Sequence, residues 1–95
     1  MEYDIILTTA FKKELKNIKK RNKDLKKLTE VVNKLASGQE LDAKYRDHAL
    51  ANNLRFKDCR ECHIEPDWLL LYKKLNDILI IVATETGSHA DLFGI

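Results

Sequence analysis

Trp68-Leu69-Leu70-Leu71-Tyr72 is the stretch that most limits how this chain can fold. Five large apolar side chains in a row, with no polar alternation, do not suit a half-exposed strand. They need cover on both faces. Pro66-Asp67 ahead of them sets a turn. Asn76-Asp77 behind them sits where a hairpin turn is expected, without the usual glycine. A second apolar strand is expected over Ile78 to Ala83, broken by Gly87. Together they predict the centre of a sheet with a layer on each side.

The layers come from the N-terminal half. Tyr3, Ile5, Ile6 and Leu7 predict a first strand between Glu2 and Thr8. Thr8 or Thr9 offers a hydroxyl to cap a helix, and Phe11, Leu15 and Ile18 then fall at helical spacing. That helix ends near Arg21-Asn22. A second follows on the apolar face of Leu25, Leu28, Val32, Leu35 and Ala36, with Val31 beside it, and stops at Gly38. Two helices with so short a turn form a hairpin, and the later strands are its available partner. Gln39 to Asn53 has no clean period and reads as an ordered loop with a helical turn, ending in an Asn52-Asn53 turn. From Arg55 to Glu65 the chain alternates, Lys57, Cys59, Glu61 and His63 on one face, Phe56, Asp58, Arg60, Cys62 and Ile64 on the other. Asp58 and Arg60 fit the apolar set poorly, so a bulge or strand break is expected there. Ser88 caps a final helical turn through Phe93. The expected architecture is α+β: an N-terminal strand and two-helix hairpin packed on a mainly antiparallel sheet of four to five strands, closed by a short C-terminal helical turn. It forms one domain over residues 1–95.

No secretory leader pattern and no long apolar run is present, so a cytoplasmic protein with no membrane contact is expected. Cys59-Arg60-Glu61-Cys62-His63 matches the spacing of covalent c-type haem attachment. On an alternating strand, however, the two thiols point to opposite faces. The same geometry argues against zinc held by the pair and His63. The expectation is two free cysteines, one packed and one partly exposed.

Charge is uneven. Lys12 to Lys27 holds nine basic residues against two acidic ones, +7 in a chain of net +2. A helical surface of this kind suits a polyanion such as RNA. The three histidines lie in polar, loop-flanked stretches, and Glu61 shares a strand face with His63. Imidazoles beside carboxylates suit proton transfer near neutral pH, the chemistry that metal-free phosphodiester cleavage requires.

Three motifs then stand in order: Tyr45-Arg46-Asp47-His48-Ala49-Leu50, Arg60 to Tyr72 with Glu61-Cys62-His63-Ile64-Glu65-Pro66-Asp67-Trp68 at its heart, and Thr86-Gly87-Ser88-His89-Ala90-Asp91-Leu92-Phe93. With the Leu41-Asp42 entry and the lysine-rich helices, they resemble the YafQ branch of the RelE/ParE toxin superfamily nearly end to end. The resemblance implies a RelE-like fold and a type II toxin–antitoxin toxin. It implies an endoribonuclease that needs no metal or other cofactor and cuts mRNA, usually on the translating ribosome, leaving a 2′,3′-cyclic phosphate. The site it implies is His48, Glu61, His63, Asp67, His89 and Phe93. His89 would be the acid, His48 or His63 the base, Glu61 and Asp67 would orient the imidazoles, and Phe93 would hold a base. RNA contacts are expected from Lys12, Lys16, Lys19, Lys20, Lys23, Lys57 and Arg60. The implied partner is a small antitoxin in a hetero-oligomer.

Two departures stand out. The family often has aspartate at Glu61 and arginine at Glu85. A missing cation at the phosphorane costs about 2.7–4 kcal/mol if it acts like a lost oxyanion donor. Arg55, Lys57, Arg60 and Lys73 are the candidate replacements. The other readings are a ParE-like gyrase poison and a catalytically weak toxin that acts by gripping RNA or the ribosome.

Overall fold

The apolar run is the middle of the molecule. In the computed structural model, which describes residues 2–50 and 55–94, strand β4 (Trp68–Leu75) lies at the centre of a five-stranded sheet. Around it run β1 (Asp4–Leu7), β2 (His48–Ala49), β3 (Arg60–Glu65) and β5 (Ile80–Gly87), in the order β1-β5-β4-β3-β2. β1 pairs with β5 in parallel, and every other pairing is antiparallel. Trp68, Leu69, Leu70, Leu71 and Tyr72 are all buried. Each contributes about 1.5–3 kcal/mol by leaving water.

The even-numbered members of that run face helices α1 (Thr9–Lys20) and α2 (Leu25–Ala36), in a core with Phe11, Ile18, Leu28, Val31, Leu35, Cys62, Ile64, Ile81 and Ala83. Leu69 and Leu71 face the other way, into a smaller cluster with Phe56, Cys59 and Leu92. Leu92 belongs to helix α3 (His89–Phe93). Thr8 caps α1 by accepting the Phe11 N–H, and Asp24 caps α2 by accepting that of Lys26. Gly38, at φ +80°, supplies the left-handed residue that closes α2. Among the described residues, no helix is long and apolar enough to cross a membrane.

Several boundaries differ from the expectation. β3 begins only at Arg60, because residues 55–58 turn and Asp58 takes φ +62°. Phe56 therefore packs with Cys59 rather than on the opposite face. The expected strand break is there. β5 starts at Ile80 rather than Ile78, since the preceding hairpin needs Leu79 at φ +54°. The loop after α2 holds a 3₁₀ turn (Ala43–Tyr45) and also β2, which periodicity did not signal because it is two residues long. The expected Asn52-Asn53 turn lies outside the described residues. Cys59 and Cys62 do point to opposite faces, but both are buried, and burial pushes both thiols up. The expectation of one partly exposed cysteine is corrected: the small cluster under Phe56 covers Cys59.

Two irregularities place charges. Leu71 pairs with Glu85 and Tyr72 with Ala83, leaving Thr84 as the extra residue. The bulge turns Glu85 and Gly87 to the face opposite the helices, where strict alternation from Ile81 and Ala83 would not put them. A second bulge at Ile64 lets Glu65 reach the helices, where Lys23 and Lys27 bind it at 3.0 and 2.9 Å.

Candidate active site

The sheet face that α1 and α2 leave open carries the candidate residues. The register puts His48 on β2, Glu61 on β3, Leu71 on β4 and Glu85 on β5 in one row across the strands. His63, Leu69 and Gly87 form the next row. Three of the six candidate residues thus share a face by strand pairing alone. Asp67 enters from the β3–β4 turn, and His89 and Phe93 from α3.

Glu61 is the hub. It is buried to 6% exposure, its Oε1 lies 3.1 Å from His63 Nε2, and its Oε2 lies 3.9 Å from His48 Nε2. His48 is anchored from behind, with Nδ1 2.7 Å from the Arg46 carbonyl. Arg46 takes φ +49°, and that local twist aims its carbonyl at the ring. His63 Nδ1 lies 3.3 Å from the Pro66 carbonyl. Across the cleft, Asp67 Oδ1 accepts both the His89 backbone N–H, at 2.9 Å, and its ring Nδ1, at 2.6 Å. The backbone N–H first and the ring second hold the Asp67 carboxyl below the usual aspartate range. Ring centroids stand 6.5 Å apart for His48–His63 and 5.7 Å for His63–His89.

Helix α3, which carries His89, is short and is pinned from outside. Ser88 and Asp91 form a capping box, and Arg21, at the end of α1, grips Asp91 with two bonds of 2.7 and 3.3 Å. Arg21 pulls the Asp91 carboxyl down to about 2. Sequence reasoning counted Arg21 only as part of the basic run. On the β2 side, Asp47 accepts Tyr72 Oη at 2.6 Å and Arg60 Nη2 and Nε at 3.2 and 3.3 Å. That fixes the residue next to His48. It also engages Arg60 on the helix face of the sheet, away from the histidines.

Phe93 is half-buried and meets Phe56 edge to face at 5.8 Å. It packs against the small core and remains partly exposed. Glu85 is buried, with Oε1 3.5 Å from Arg55 Nη2 and Oε2 without a hydrogen-bond partner. Of the four candidate cations, Arg55 is the one at Glu85. Lys12, Lys16, Lys19 and Lys20 are exposed on α1, behind the sheet, and do not line the cleft. Lys57 is exposed within the 55–58 turn, and Lys23 is held by Glu65. The larger cavity, about 870 Å³ around Asp47 and Arg60, contains none of the three histidines.

Near Glu85, the Glu14 carboxylate accepts the Thr86 N–H at 3.0 Å. Burial pushes this carboxyl up to about 7; the Thr86 bond opposes the rise and Glu85 adds to it. A folded value above the unfolded one means the native state binds more protons between about pH 4.5 and 7, so Glu14 costs stability as pH rises through that window. Glu14→Gln is expected to stabilise the protein at pH 8 by about 1 kcal/mol, after allowing for solvent screening, and to matter less at pH 5. Urea melts at the two pH values check this. An equal effect at both would refute it.

Glu61, His63 and His89 each bring a ligand atom within 4.8 Å of the others. One carboxylate and two imidazoles suit zinc or another divalent transition metal. The same atoms are able to carry protons, so metal binding and acid–base work would compete for them.

A five-stranded sheet backed by a helical hairpin, with a histidine–carboxylate cleft on its open face, is a RelE-like α+β toxin fold. The profile for the bacterial toxin of type II toxin–antitoxin systems, YafQ, matches residues 3–94, and the chain belongs to that family. It is 38% identical over 95 residues to the mRNA interferase toxin YafQ of Escherichia coli strain B, covering 99% of each. Its structure resembles the toxin in the E. coli DinJ–YafQ toxin–antitoxin complex, with a TM-score of 0.88 at 36% identity over 99% of this chain and 100% of that one. A metal-bound toxin from Helicobacter pylori is equally similar, with a TM-score of 0.88 at 42% identity over 98% and 100%.

Proposed function

We propose that this chain is an mRNA interferase, the toxin of a type II pair, cutting RNA by histidine–carboxylate acid–base catalysis. One observation carries the reading: Glu61 bridges His48 and His63 while Asp67 holds His89 opposite them. Cleavage needs a base to take the ribose 2′-hydroxyl proton, so that the oxygen attacks the adjacent phosphorus. It needs an acid to protonate the departing 5′ oxygen, leaving a 2′,3′-cyclic phosphate and a 5′-hydroxyl. His48 suits the base. Its Nδ1–H donates to the Arg46 carbonyl, which leaves the Nε2 lone pair free, and Glu61 Oε2 is near enough to stabilise the imidazolium that forms. His63 has an acceptor at each ring nitrogen and no lone pair to spare while both contacts hold. It positions the Glu61 carboxylate beside His48. His89, its Nδ1 on Asp67, presents Nε2 as the acid. Arg55 supplies the cation that Glu85 replaces, drawn in by that carboxylate. Phe93 offers a partly open ring on which a base can stack.

The proposed partner is an antitoxin, as in the DinJ–YafQ complexes of the relatives, and the proposed setting is the translating ribosome. The gyrase-poison reading gives three converging imidazoles no work. The test is primer extension on an mRNA translated in a purified system. Discrete cuts that appear only with ribosomes support the reading. Arrested translation without cuts would mean inhibition by binding alone.

The chemistry proposed needs no metal. EDTA is expected to leave the cleavage rate unchanged, and added zinc to inhibit by occupying Glu61, His63 and His89. A rate lost to EDTA and restored by metal would overturn this part.

A further inference from the structure

β2 covers β3 only at Arg60 and Glu61. From Cys62 onward no strand lies beside the outer side of β3 among the described residues, and a cavity of about 360 Å³ opens between that edge and α2. Lys27, Lys44, Arg46, His63, Glu65 and Pro66 are among its walls. His63 belongs to both places: its ring bonds Glu61 in the cleft and lines this groove. His63 thus stands at the border between the groove and the candidate active site.

Its walls carry three cations, Lys27, Lys44 and Arg46, against two carboxylates, Glu30 and Glu65, an excess of one positive charge. Glu65 is already bound by Lys23 and Lys27. Lys44 rests over the Tyr45 ring with its ammonium 5.1 Å from the centroid and makes no ion pair among the described residues. Arg46 is exposed and likewise makes none. Its carbonyl holds His48, and the residue lines both this groove and the larger cavity around Asp47. Two cations without counter-ions, beside a proton-transfer site, form a place for anionic oxygens. The volume lies near the lower end for small-ligand sites and suits one nucleotide rather than a folded partner.

We propose that this groove is a subsite for the nucleotide flanking the scissile bond, with Arg46 and Lys44 meeting the RNA phosphate one linkage away from the bond that is cut. The inference rests on the ribonuclease reading. It gives the chain a local RNA grip that the helix lysines, lying behind the sheet, do not provide.

The experiment uses the full chain with His89→Ala, so that RNA is bound and not cut. Binding of a fluorescent RNA oligonucleotide of about 12 nucleotides is measured by anisotropy, free and placed in programmed ribosomes. A matched series carries one neutral methylphosphonate linkage at each position in turn. One linkage beside the scissile bond is expected to lose about tenfold in affinity when neutralised. Arg46→Gln and Lys44→Gln together should lose a similar factor on ordinary RNA, with no further loss on that methylphosphonate. The salt slope should fall by about one, for the single phosphate neutralised. Thermal melts confirm that the variants fold, and each single variant checks the other. Additive losses, or unchanged affinity, overturn the subsite alone. Unchanged RNA affinity with weakened antitoxin binding reassigns the groove to the protein partner. Absence of RNA binding in both settings removes the ribonuclease reading and the subsite with it.

Discussion

His89→Ala is expected to slow RNA cleavage by about 10²- to 10⁴-fold, the range for removing a positioned general acid. The expectation rests on how tightly the imidazole is held. Its ring nitrogen and its own backbone N–H both bond one oxygen of Asp67, so Nε2 has a single direction to point. Alanine removes the proton donor and leaves the helix, because the capping box belongs to Ser88 and Asp91. Asp67→Asn should fall between wild type and His89→Ala, since it keeps an oxygen for the backbone bond and loses the charge that supports the imidazolium. The pH profile separates the roles. A general acid makes the rate fall on the alkaline side, and that limb should vanish in His89→Ala while the acid-side limb from the base remains. Single-turnover cleavage across pH, with circular dichroism to confirm folding, is the measurement. A His89→Ala rate within threefold of wild type at every pH would remove His89 from the chemistry.

Asp47→Ala should have the largest effect on stability, about 2–3 kcal/mol, with a loss of activity beyond it. Asp47 is half-buried and carries three bonds from Tyr72 and Arg60. Hydrogen bonds to charged groups are worth about 1.5–3 kcal/mol, and removing Asp47 leaves the Tyr72 and Arg60 donors without their shared acceptor. Partial exposure of Arg60 keeps the total at that level rather than higher. Tyr72 is almost wholly buried, so its hydroxyl finds no easy substitute in solvent. The activity loss follows from adjacency. His48 comes next in the chain, and β2 is only two residues long, so Asp47 is what seats the proposed base beside Glu61. Asp47→Asn keeps an acceptor for Tyr72 and should recover more than half of the stability. Urea denaturation measures the first effect and cleavage by the refolded variants the second. A stable Asp47→Ala protein with full activity would show that β2 seats itself.

Helices α1 and α2 were legible because their signals are local. Apolar spacing, a capping hydroxyl at Thr8 and a left-handed glycine at Gly38 all act within a turn or two of chain. β4 was legible for a different reason: five apolar side chains leave a strand no exposed face. β2 was not, because two residues carry no period, and its pairing is set by Asp47 bonding residues far along the chain. The start of β3 was misplaced because alternation reads straight through a turn whose break depends on Asp58 adopting positive φ. For the cysteines, the opposite faces followed from strand geometry, but the burial of Cys59 depended on Phe56 folding over it.

What the sequence alone determined is therefore the element types, the central strand and the residues able to move protons. The family resemblance added an order and a role for those residues. Tertiary structure decided which side chains meet. Two bulges send Glu85 to the cleft face and Glu65 to the helices. A two-residue strand brings His48 to Glu61, and a turn carboxylate before β4 clamps a histidine that follows β5, 22 residues further along the chain. Each depends on register or on loop closure, where the energy comes from groups distant in the chain, and no local pattern of residues encodes that distance.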